Sequence, residues 1–332
     1  ASPPIPRQID KLWFGCFLGA TMTRPALNFD KNWSVKTQLR FQPNKTLTTR
    51  DPVNPERYRS FLGNDRGFGM NNSGIILEEI KVNYENEDVR VFAGKFDPTF
   101  GTAWRKTKRI GVFAAQLTED YNLREKLGGG ISALLENSTI TFNSFMNDST
   151  PLSKSMISNR GEAQNQGAGS GKNLSSYSIS MEGENFLTVK NLFYNVGYRS
   201  LGSNNKLPNS AREQGYTLGT EYLYKVSRNT SIIPFVELVK MDNFGGIKNR
   251  DAKYATFALI GNYSSWTGSI SLITRNIKNT PTVGNFHDRQ VQFSAGYKFT
   301  DNLTLDVSRA NIRENGKDGS LLGMTLSYFY KF

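Results

Sequence analysis

The chain has 332 residues, 37% of them hydrophobic, with a mean hydropathy of -0.49 and a formal net charge of +12. No stretch approaches the roughly 18 consecutive apolar residues of a membrane helix, and Leu12–Ala20, the most apolar run, is half that length. A single cysteine, Cys16, excludes an intrachain disulfide and a thiol metal cluster.

The chain begins Ala-Ser-Pro-Pro-Ile-Pro, without a basic n-region or an apolar h-region, and reads as a mature chain whose signal peptide has been removed. Residues 7–29 have room for two short strands, around 9–18 and 20–29. From Trp33 a period of two takes over. Trp33, Val35, Thr37, Leu39 and Phe41 share one face and Lys36, Gln38 and Arg40 the other; Ile80, Val82 and Tyr84 oppose Glu79, Lys81 and Asn83. The same alternation places Leu127, Gly129, Ile131, Ala133 and Leu135 together, then Leu192 to Tyr198, Tyr216 to Tyr224, and Val291 to Phe299. Alternation at period two means extended strands with one apolar and one wet face, and no sustained helical period competes with it. The fold is expected to be all-β.

Connections alternate in length. Short ones fall at Glu85–Asp88, Glu136–Ser138, Glu182–Asn185, Ser227–Thr230, Ser264–Ser265 and Thr300–Asn302; long polar ones occupy 43–73, 97–121, 147–173, 200–214, 242–252, 277–288 and 311–320. A soluble sandwich has no reason to keep its long loops at one end, whereas an up-and-down transmembrane antiparallel β-barrel does so by construction. Fourteen passes run from Trp33 to Phe332, and an even total is required, so sixteen strands are predicted, with fourteen as the alternative. The whole chain is then one barrel domain. The last strand places Leu322, Met324, Leu326, Tyr328, Tyr330 and Phe332 on one face. It resembles the signal that delivers outer-membrane barrels to their assembly machinery, which makes that machinery an expected partner through Phe332.

Between Gly94 and Gly128 the chain reads Gly-Lys-Phe-Asp-Pro-Thr-Phe-Gly-Thr-Ala-Trp, then Thr-Glu-Asp-Tyr-Asn-Leu-Arg-Glu-Lys-Leu-Gly. Together with Ser158-Asn159-Arg160-Gly161 and the stretch from Arg24-Pro25-Ala26-Leu27 to Trp33-Ser34-Val35, this resembles the porin-like outer-membrane proteins of α-proteobacteria. The resemblance covers most of the chain, and the Gly94–Trp104 motif is its most specific part. It implies a general diffusion porin, trimeric and passive, in the outer membrane of a Gram-negative cell. The chain departs from the family where Arg105-Lys106-Thr107-Lys108-Arg109 replaces an acidic and then Gly-rich segment, so a shared solute preference does not follow.

In a wet barrel, selectivity is set by charges on the lumen wall and at its narrowest point. The inward-facing bases on this register are Lys36, Arg40, Lys81, Arg90, Lys126, Arg199, Lys225 and Lys298, against Glu79, Glu221 and Asp306. Such an excess predicts an anion preference for small hydrophilic solutes and inorganic ions. By analogy the loop 97–121 is the candidate to fold inward as a constriction, carrying Arg105, Lys106, Lys108 and Arg109 with Glu119 and Asp120 at its far end. Loop 43–73, with Arg50, Arg57, Arg59 and Arg66, reads more simply as a surface for outer-membrane lipid and lipopolysaccharide phosphates.

Neither catalysis nor a cofactor is expected. The lone histidine, His287, is a loop residue beside Asp288, and Asp242-Asn243 and Asp301-Asn302 are turn formers rather than metal ligands. Gly128-Gly129-Gly130 belongs to a strand, and 167–171 lacks the ending of a phosphate loop. The bases are spread along strands rather than clustered, which argues against nucleic acid. Two alternatives to a general pore stand: a specific channel for phosphate or acidic metabolites, and a closed structural barrel or surface adhesin.

Overall fold

The computed structural model describes residues 13–16, 20–22, 26–43, 73–106, 117–148, 150, 168–169, 173–186, 189–203, 209–280, 284–314 and 316–328. Among these residues eighteen strand segments lie in one sheet. They are β1 (Trp13–Cys16), β2 (Ala20–Met22), β3 (Ala26–Asn28), β4 (Trp33–Pro43), β5 (Ser73–Glu85), β6 (Val89–Phe96), β7 (Lys126–Leu135), β8 (Ser138–Asn147) and β9 (Ser176–Glu184). The second half adds β10 (Leu192–Leu201), β11 (Glu213–Tyr222), β12 (Tyr224–Lys225), β13 (Thr230–Asp242), β14 (Asp251–Tyr263), β15 (Trp266–Thr280), β16 (Gly284–Lys298), β17 (Leu303–Glu314) and β18 (Lys317–Tyr328).

β2 and β3 both pair with β4, and β11 and β12 both pair with β13, so each couple is one strand and the sheet has sixteen. From β4 to β18 every neighbour is antiparallel and next in sequence. At the seam β1 lies parallel to β18, with Trp13 opposite Leu321 and Cys16 opposite Met324.

The tight ends are built by side chains suited to them. Asn86 Oδ1 accepts the backbone N–H groups of Asp88 and Val89 at 3.0 and 2.7 Å, closing the β5–β6 turn. Ser264 closes the two-residue β14–β15 turn at φ 51°. Near this same end Trp33 meets Tyr84 at 5.2 Å and Trp266 meets Tyr297 at 4.7 Å between ring centroids, an aromatic girdle of the kind found at a membrane interface.

Burial is inverted relative to a soluble protein. Val82, Ile131, Phe142, Val196, Leu218, Leu259, Ile270 and Phe293 are exposed on the outer wall, while Asn83, Ser132, Asn143, Ser178, Asn195, Gln290 and Ser308 are buried inside. An apolar outside and a polar inside on strands of period two is the arrangement of a barrel solvated by lipid.

Two irregularities shape the β4–β7 wall. A register shift between Gln38 and Leu39 leaves Glu78 as an extra residue on β5, so Glu78 and Glu79 are both buried. At Gly94, φ is 139° and a Cβ would collide with the Ile80 carbonyl, so only glycine fits. Beyond it Lys95 and Phe96 are both buried, and Lys95 Nζ reaches Glu125 at 3.0 Å and Asp148 at 3.2 Å.

Candidate functional site

The connection between β6 and β7 is held against the inner wall of the barrel at several points. Its first part, Asp97–Lys106, ends in one helical turn at Ala103–Lys106. A helical turn leaves its first N–H groups without partners. Here Glu237, buried on the inner face of β13, supplies the acceptor: it takes the N–H groups of Thr102 and Ala103, the Thr102 hydroxyl at 3.0 Å and the Tyr121 hydroxyl at 2.8 Å. A carboxylate from the opposite wall thus caps the loop.

A second anchor is Arg199 on β10. Its guanidinium pairs with Glu213 on β11, donates to the Tyr121 carbonyl and lies 4.7 Å from the centroid of Phe100. A third is Arg275 on β15, which gathers Asp120 at 2.7 Å, Asp288 on β16 at 2.6 Å and Glu314 on β17 at 3.1 Å. Tyr254 also donates to Asp120, at 3.0 Å. Around these polar anchors Phe100, Tyr121 and Leu123 pack with Phe145, Val239, Met241, Phe244 and Tyr254 in one buried cluster, and Ala103 packs with Phe235, Ala258 and Ile260 in another. Apolar residues inside a wet barrel are explained by this contact: they face the loop, not water.

The bases expected at the loop divide. Arg105 pairs with Glu182 on β9 at 2.7 Å, and both remain partly exposed. Lys106 pairs with Glu221 on β11 and lies 3.7 Å from the centroid of Phe193. Lys108 and Arg109 lie outside the described residues. Glu119 lies 3.8 Å from Arg124, and Asp120 pairs with Arg275.

On the wall, Lys36 and Lys81 stand directly opposite each other on β4 and β5. Lys81 pairs with Glu79, and Arg90 with Glu85 at 2.6 Å. Lys126 donates to Asn147 at 2.6 Å, Lys225 is exposed opposite Ser231, and Lys298 pairs with Asp301 at 2.7 Å. The side chain of Arg40, most of loop 43–73, Ser158–Gly161 and Phe332 lie outside the described residues. His287 belongs to the outer face of β16, its Nδ1 2.6 Å from Asn276 Oδ1.

Sequence reasoning counted three inward acids and overlooked Glu78, Glu182, Glu213, Glu237, Asp288 and Glu314. The signal was available: a carboxylate at the inward phase of an otherwise apolar strand, as in Pro-Phe-Val-Glu-Leu-Val, has to meet a partner there. Of the eight wall bases read as inward, Lys81, Arg90, Arg199 and Lys298 meet an acid, and Arg199 does so through one of those six.

A sixteen-stranded up-and-down sheet with an apolar outer belt, an aromatic girdle and a polar interior defines an integral β-barrel of the outer-membrane type. No protein-family model matches the chain, and no curated protein matches it in sequence. Among solved structures it is similar to OmpF of Salmonella typhi in complex with daunomycin, with a TM-score of 0.60 at 12% identity over 92% of this chain and 88% of that one. It is also similar to the outer membrane channel DcaP of Acinetobacter baumannii, with a TM-score of 0.56 at 9% identity over 92% and 83%. These likenesses establish a common fold, that of outer-membrane channels.

Proposed function

We propose that this protein is a passive diffusion channel for small hydrophilic solutes and inorganic ions, seated in the bacterial outer membrane and assembled as a homotrimer. The observation that carries the reading is the capping of Thr102 and Ala103 by Glu237, with Arg199 and Arg275 holding Tyr121 and Asp120 to the inner wall. A loop tied in this way narrows a water-filled barrel without occupying all of it. Its anchors lie mainly on β8 to β18, with Arg124 reaching Glu78 on β5 at 3.1 Å, and the path for solute then runs along β4 to β6, where Lys36, Lys81, Glu85 and Arg90 retain partial exposure.

The selectivity that follows is a modest anion preference carried by this wall. Arg105 and Lys106 contribute little to it because Glu182 and Glu221 oppose them at contact distance. Lipopolysaccharide phosphates at the outer rim and the assembly machinery at the C-terminal strand are the expected partners.

Reversal potential in a planar bilayer under a KCl gradient tests the reading. A stable open conductance with chloride preference supports it, cation preference leaves the pore and removes the charge argument, and a silent barrel replaces the channel with a closed scaffold or adhesin.

A further inference from the structure

On the outer wall an open, apolar groove of about 270 Å³ lies over β10, β11 and β13. Its origin is a rung of unequal side chains. Tyr194, Thr220 and Val236 stand opposite one another across the three strands, and the next rung is Val196, Leu218 and Leu238. Thr220 and Val236 are the short outward residues of the central rung, beside the long Tyr194. The Thr220 hydroxyl donates to the Phe193 carbonyl at 3.0 Å, so that polar group is satisfied within the sheet.

One side of the groove is raised by Phe186, which does not belong to the sheet. The β9–β10 connection is longer than the other turns at this end, with Asn185 and Asn191 both left-handed, at φ 58° and 63°. Asn185 Oδ1 accepts the Asn191 N–H at 2.9 Å and the Phe186 carbonyl accepts the Val189 N–H at 3.0 Å, which ties Phe186 to the start of β10. The connection lays the Phe186 ring edge-on against Tyr194, 4.9 Å between centroids, on the membrane side of the barrel. Two exposed bases, Lys190 and Arg228, lie in the short connections that bound these same strands.

Short turns face the periplasm in barrels of this class, so the groove belongs to the inner of the two leaflets. We propose that it is a lipid site: it holds one acyl chain of an anionic phospholipid of the periplasmic leaflet, whose phosphate is drawn to Lys190 and Arg228. An apolar, membrane-facing groove on strands whose short connections carry exposed cations matches a lipid that is apolar along its chain and negative at its head. A second copy of the chain would bring side chains rather than a phosphate, and the two bases would then have no role.

The site rests on the barrel being in a membrane and not on conduction, so the two readings fail separately. The test is native mass spectrometry of the full chain in detergent with dioleoylphosphatidylglycerol. The wild type is expected to keep one lipid per chain. Thr220→Leu, which fills the floor, and Phe186→Ala, which removes the side without touching a strand, should each reduce retention by about tenfold. Channel conductance in both variants should stay at the wild-type level. Lys190→Glu combined with Arg228→Glu should weaken phosphatidylglycerol binding in the same direction. Unchanged retention in the Thr220 and Phe186 variants overturns the site. So does a change in the number of copies per particle in place of lipid loss, and equal competition by lipid A overturns the assignment to the periplasmic leaflet.

Discussion

Glu237 and Tyr121 meet inside the barrel at 2.8 Å, a side chain of the wall accepting the hydroxyl of a residue that enters from the β6–β7 connection. Both are buried, and the same carboxylate takes two backbone N–H groups of the helical turn. Glu237 is therefore the point where wall and loop are one hydrogen-bonded unit. Replacing it with glutamine keeps the shape but turns an amide NH₂ toward N–H donors, and each buried donor left without an acceptor costs about 1–3 kcal/mol. Glu237→Gln should give a channel with higher and noisier conductance in a planar bilayer. Conductance identical to wild type would mean that the loop does not limit the pore.

The phenol of Tyr121 responds to alkali. Burial, and next the negative charge of Glu237, push its pKa well above the usual tyrosine value. Because the folded pKa lies above the unfolded one, the folded state keeps a proton that the unfolded chain loses above about pH 10. Stability should hold up to that pH and fall beyond it. Tyr121→Phe should flatten the fall, as followed by thermal unfolding across the alkaline range. An equally steep fall in the variant would assign it to other groups.

Arg105 and Glu182 form a pair within reach of water, 2.7 Å apart. A pair contributes no net charge to the lumen, so Arg105→Gln with Glu182→Gln should leave the chloride-to-potassium permeability ratio near its wild-type value. Arg105→Glu with Arg109→Glu should shift it toward potassium. If the double glutamine variant shifts the ratio as far as the glutamate variant, the pair does not act as a unit.

Arg275 gathers three carboxylates from the loop, β16 and β17. Arg275→Met leaves these acids together without their cation, a change that costs about 3–5 kcal/mol when one partner of a buried ion pair is removed. The temperature at which the barrel unfolds in detergent gels should drop. Adding Asp288→Asn to the same chain should recover part of the loss. A variant as heat-resistant as the wild type would show that water compensates the acids.

Much of this architecture was legible from residue order. Val82, Ile131 and Phe293 lie outward and Lys81 and Glu79 inward because a strand has only two faces, and a phase fixed at one residue fixes its neighbours. The alternation of turns and loops located the short-turn ends, but 277–288 and 311–320, read as long polar loops, are largely paired strand, because polar residues on the inner face of a barrel strand look like loop. The ion pairs were not legible. Arg275 and Asp120 are 155 positions apart, and no local pattern says which inward base meets which inward acid. Counting bases on strand faces therefore overstated the positive charge of the lumen. Glu78 was missed for a different cause: the register shift at Gln38 moves it off the face that alternation would assign.

The sequence distances of the loop anchors also order events in time. Arg105 finds Glu182 across 77 residues, but Asp120 finds Arg275 only across 155, and the Asp288 and Glu314 carboxylates that share that guanidinium come later still. Contacts this remote form late because their chain closure has to be completed first. A nascent barrel thus carries its β6–β7 segment across the growing sheet long before the seat for Asp120 exists. β15, β16 and β17 supply that seat together, so Asp120 is fixed only when the sheet itself is nearly complete.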